Sequence, residues 1–130
     1  MSDDTTKLDL RIYSEDPVKF REQMEESAEL YWKFSNQLEE AKTSVAQIKV
    51  ELKTKEVKIA NELRSGDSKM SEARIERSLY DYPEYVAAME RFNAIRAIEG
   101  KLGAIVKSMD IRHGLILSIA GMKKREARIT

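Results

Sequence analysis

Cysteine is absent from the 130-residue chain, which excludes disulfides, thiolate metal sites and a cysteine nucleophile. Histidine occurs once, as His113 between Arg112 and Gly114, so no second imidazole exists to share a metal and no serine nucleophile motif accompanies it. Glycine and proline together fill seven positions, too few for a loop-rich β fold. No apolar run reaches the roughly 18 residues that a bilayer span needs, and no charged-then-apolar leader opens the chain. Gly-rich phosphate loops, dinucleotide fingerprints and calcium loops are all missing. The adjacent acids Glu25-Glu26 and Glu39-Glu40 diverge by about 100° on a helix, so neither pair converges on one ion. These absences predict a cytoplasmic protein that is not an enzyme and holds no cofactor or metal.

What is present is helical pattern and segregated charge. Tyr31, Leu38, Val45, Leu52 and Ile59 fall seven apart, and Phe34, Ala41 and Ile48 follow the first three by three residues. A repeat of 3.5 residues places one narrow apolar seam on a helix, and only another helix buries such a seam. Lys55 interrupts the beat where the next apolar residue belongs. It reads either as a register-fixing polar residue or as one of several cations with a binding role.

Breakers delimit the elements. Residues 1–16 read as an N-terminal arm, irregular or with a short strand where Leu8, Leu10 and Ile12 alternate with Asp9 and Arg11. Asp16-Pro17 reads as N-cap and first helical position. No further Gly or Pro occurs before Gly66, so one helix of about 47 residues, roughly 70 Å long, is expected. Gly66 is expected to end it as a left-handed residue. A short helix over about 72–80 follows, then Asp81-Tyr82-Pro83-Glu84 breaks the chain before a last helix. That helix carries a broad apolar face from Val86 to Met109, with Gly100 and Gly103 expected where another backbone comes close. Residues 17–130 thus form an all-α unit: a long helical hairpin, two long helices plus a short connecting helix, oligomeric through coiled-coil-like packing.

Residues 114–122 are apolar nearly all round, a surface that cannot stay exposed without a partner. The economical partner is a second copy, through a self-association helix at about 104–125 carrying Leu102, Ile105, Val106, Met109, Leu115, Ile116 and Ile119. A membrane-surface anchor competes, but lacks boundary Trp or Phe, so no membrane partner is expected.

Net charge is zero, yet residues 15–40 hold eight acids against three bases, residues 41–64 six bases against three acids, and residues 100–130 seven bases against two acids. Such asymmetry suits a polyanionic or charged partner; solvated helix faces would produce it too. A hairpin would gather Lys53, Lys55, Lys58, Arg64, Lys69, Arg74 and Arg77 near its turn, where they could contact phosphates without reading sequence. Tyr80, Tyr82 and Tyr85 lie beside them, either to stack on bases or to pack the short helix.

The order of these features carries a resemblance. A long helix bearing Leu30-Tyr31-Trp32-Lys33-Phe34, a lysine-rich end, Leu63-Arg64-Ser65-Gly66, a short Ser-initiated helix and a long helix with Val106-Lys107-Ser108-Met109 resemble the UvsY-type recombination mediator proteins of bacteriophages over roughly residues 20–125. The resemblance implies oligomeric rings, assembled through the C-terminal helical region, that bind single-stranded DNA and help a RecA-like recombinase displace a single-strand-binding protein. It also implies that a lysine and an arginine two apart near the end of the first long helix touch DNA. Lys58 matches the lysine, whereas Ala60 departs from the pattern, leaving Lys55 or Arg64 to compensate. Without nucleic-acid binding, the same layout would serve a structural coiled-coil assembly or adaptor protein.

Overall fold

The computed structural model describes residues 12–129, which form three helices: α1 (Pro17–Gly66), α2 (Glu72–Leu79) and α3 (Pro83–Ile129). The expected arm falls largely on residues 1–11, outside the described residues; within 12–16 the chain makes only a turn at Ser14-Glu15 before α1. Contacts divide the chain into two compact units, one of residues up to Asn36 together with Gly103 onward, the other Gln37–Leu102. Both long helices contribute to both units.

Asp16 starts α1 as its spacing requires: the carboxylate Oδ1 accepts from the backbone N–H of Val18 at 3.1 Å and of Lys19 at 3.2 Å, satisfying donors that no helical carbonyl reaches. The other end differs from expectation. Gly66 is itself the last helical residue, and no described glycine has positive φ. The stop comes one residue later, where the Asp67 N–H donates to the Leu63 carbonyl at 3.0 Å and the Asp67 side chain accepts from the Lys69 N–H at 3.1 Å. Asp67 supplies the turn by side-chain hydrogen bonding, so a left-handed glycine is unnecessary. Ser71 then caps α2 by accepting from the Arg74 N–H at 3.3 Å, and Pro83 opens α3.

In the unit of residues 37–102, α1 and α3 run antiparallel, since Glu51 meets Arg91 and Glu56 meets Tyr85. Its core holds Ile48, Leu52, Ile59, Leu79, Tyr85 and Ala88, flanked by Leu63, Tyr82, Met89, Phe92 and Ile95. The α1 contribution is the sequence's own seam. Lys55 sits half-buried within that seam, 3.9 Å from Glu51, which also accepts from Arg91 of α3 at 2.6 Å. A single carboxylate thus links the interrupting lysine to the facing helix. The short helix α2 turns Ile75 and Leu79, one turn apart, into the interior.

In the other unit α1 and α3 are again antiparallel: Ser14 meets Lys123 and Ser27 meets His113. Phe20, Phe34, Met109 and Ile116 are buried, and two polar side chains are buried with them, Gln23 and Ser27. Gln23 accepts from the Tyr13 N–H at 2.8 Å. Ser27 Oγ and His113 Nδ1 share a hydrogen bond of 2.9 Å, and the imidazole stacks on Tyr31 with 6.4 Å between ring centres. The lone histidine therefore occupies a packed, hydrogen-bonded place in an apolar seam. Among the described residues no buried side-chain nitrogen or oxygen lacks a partner, as a folded interior requires.

The seam that advertised helix association is thus closed by the chain's own third helix in each unit. No helix among the described residues is long and apolar enough to cross a membrane.

Candidate functional site

The seven cations expected to act together all lie in the unit of residues 37–102, on the last turns of α1, the link to α2 and α2 itself. Lys53, Lys58, Arg64, Lys69, Arg74 and Arg77 are exposed; Lys55 is half-buried. They do not form one face. Lys53 and Lys58 are five residues apart, which separates them by roughly 140° around the helix. Lys53 and Arg64 share the flank of α1 on which α2 docks, lining a hollow of 190 Å³ with Ala60, Ile75, Glu72 and Glu76. Arg64 lies 3.9 Å from Glu72. Ala60, the departure from the expected Lys-x-Arg pair, is half-buried in that wall, where an arginine would lie against α2.

Carboxylates interleave with these cations. Residues 53–77 contain the seven bases and five acids: Glu56, Glu62, Asp67, Glu72 and Glu76. Exposed ion pairs of this kind contribute little to stability.

The tyrosines separate in role. Tyr85 is buried and donates its hydroxyl to Glu56 Oε1 at 3.2 Å. Burial, and after it the Glu56 carboxylate, push its phenol up to about 12. Tyr82 is half-buried against the core. Tyr80 is 62% exposed and meets the Tyr85 ring edge to face, with 5.7 Å between centres. Of the three, Tyr80 alone offers a ring to solvent.

The self-association residues also divide. Leu102, Met109 and Ile116 are buried within the chain's own packing, and Ile105, Val106 and Ile119 are half-buried. Leu115 is outward, and so are three residues absent from the expected set: Ile111, Leu117 and Met122, each more than half exposed. Ile111, Leu115 and Met122 are spaced four and seven apart, hence on one stripe of α3. Leu117 and Met122 belong to the apolar run 114–122; a second periodic reading of α3, offset from its buried seam, adds Ile111. Another apolar opening, 540 Å³ in volume, lies between Ala46, Val50 and Leu52 of α1 and Met89 and Phe92 of α3.

Among the described residues no group of three His, Cys, Asp or Glu side chains could hold a metal ion. No family model matches the chain, and no curated protein or solved structure is significantly similar to it.

Proposed function

We propose that this chain is a non-enzymatic, self-associating helical protein that binds single-stranded DNA through the α1–α2 end and acts as a recombination mediator, loading a RecA-like recombinase in place of a single-strand-binding protein. The observation that carries the DNA-binding part is the set of six exposed cations between Lys53 and Arg77. They surround the α1–α2 end and do not line one face, and phosphate contacts need no sequence readout. The interleaved acids keep each subunit's grip weak, so useful affinity depends on several copies holding one strand together. The mediator role rests on the resemblance in helix order and on Lys58.

Fluorescence anisotropy with a labelled oligo-dT, at two salt concentrations, tests this reading. Affinity should fall steeply with salt, and replacing Lys53, Lys58 and Arg64 together with alanine should weaken binding about tenfold or more while leaving assembly intact. Absence of binding at low salt would end the proposal.

A second reading, a structural assembly or adaptor protein indifferent to nucleic acid, is favoured by one specific observation. Lys53 and Arg64 share their hollow with Glu56, Glu72 and Glu76, the mixture expected of charges that serve pairing and solubility. It requires the same self-association and no anisotropy change.

A further inference from the structure

Beside the cationic stretch lies a cavity of opposite character. It measures 440 Å³ and is lined by Glu56, Glu76, Arg77, Leu79, Tyr80 and Tyr85. Two carboxylates stand there against one guanidinium, and Arg77 directs its Nε–H to the Ala73 carbonyl of its own helix at 3.4 Å. Glu56 uses one oxygen for the Tyr85 hydroxyl, leaving the second for another donor. Both carboxylates are close enough to raise the Tyr85 phenol further, so their field converges on the same space. Tyr80 adds an exposed ring, braced edge to face by buried Tyr85. Rings held in place beside carboxylates attract a cation through both charge and the π face.

We propose that this cavity binds an organic monocation, a guanidinium side chain presented by a protein partner, with Tyr80 as its stacking platform and Glu56 and Glu76 as its acceptors. Within this cavity's own lining one positive charge balances the excess carboxylate; Glu56 and Glu76 also line the neighbouring hollow with Lys53 and Arg64. A planar guanidinium can lie flat on Tyr80 while its N–H fork reaches the acids, which a compact ammonium cannot do equally well. A nucleotide in this cavity would meet two carboxylates against the one guanidinium of Arg77. The site draws on Glu76 and Tyr80, which the DNA-binding reading does not need, and shares Arg77 with that reading.

Two-dimensional NMR of the intact chain tests the assignment, following the amides of residues 76–85. N-acetyl-arginine methylamide should shift them saturably, and the neutral N-acetyl-citrulline methylamide should not. Glu76→Gln and Tyr80→Ala, both at exposed positions, should each weaken the response about threefold or more. Glu56→Gln, which keeps an acceptor for the Tyr85 hydroxyl, should do the same. The proposal is overturned if no saturable shift occurs or if the citrulline compound binds as well. It is equally overturned if spermidine or thymidine monophosphate moves these amides more strongly than the arginine compound does.

Discussion

Tyr85 concentrates much of the local physics in one side chain. Its ring fills the core of the 37–102 unit while its hydroxyl donates to Glu56, so ionising it would place a phenolate in a buried place beside a carboxylate. The folded pKa of about 12 stands above the ordinary 10. Between those values the unfolded chain has released this proton and the folded chain has not, so the folded state is favoured fully below pH 10 and loses that contribution as pH rises towards 12. Ultraviolet titration of the phenolate band should show one of the chain's five tyrosines ionising last, near pH 12. Glu56→Gln should lower that value without returning it to 10, because burial is the larger cause. A single ordinary transition for all five would refute this account of the residue.

At the scale of elements, α1 shows how a seam and the breakers after it together make a hairpin legible. Asp16 and Pro17 locate the start of α1, and heptad spacing locates its buried face between Tyr31 and Ile59, short of the buried Phe20, Gln23 and Ser27. The same spacing would serve a second copy or a later segment of the chain equally well. The breaks at Gly66 and Pro83 lead to the expected hairpin, and the packing of α1 against α3 agrees with it. The docking of α2 is a related case: its Leu79 shares the core with Ile59 of α1, a pairing across two elements that no local pattern joins. Gly66 misled because a glycine after a helix usually marks a left-handed cap, whereas here Asp67 does the turning.

The glycines of α3 offer a direct test at this scale. A Cβ added at Gly100 or Gly103 would meet nothing within 4 Å, so the close backbone approach expected from the sequence does not occur within the chain. Gly100→Ala and Gly103→Ala should each stabilise α3 by roughly 1 kcal/mol, read as a raised urea midpoint in chemical denaturation. Loss of assembly in these variants, with the fold retained, would mean that another copy's backbone packs against these positions.

For the molecule as a whole, a net charge of zero conceals acidic and basic stretches, and the apolar seam is already consumed internally. The proposed self-association would therefore use what remains outward. The stripe of Ile111, Leu115 and Met122 is the surface on which the proposal depends. Replacing Leu115 and Met122 with glutamate should dissociate copies while preserving the helical circular-dichroism signal, since neither side chain belongs to the buried core. DNA affinity should fall with assembly, because separate subunits lose the shared grip.

Light scattering of the purified chain at micromolar concentration decides the matter most directly. The account expects a mass that is a multiple of 15.0 kDa, reverting to the single-chain value in the Leu115→Glu, Met122→Glu variant. A wild-type mass of 15.0 kDa, with or without a single strand present, would contradict it.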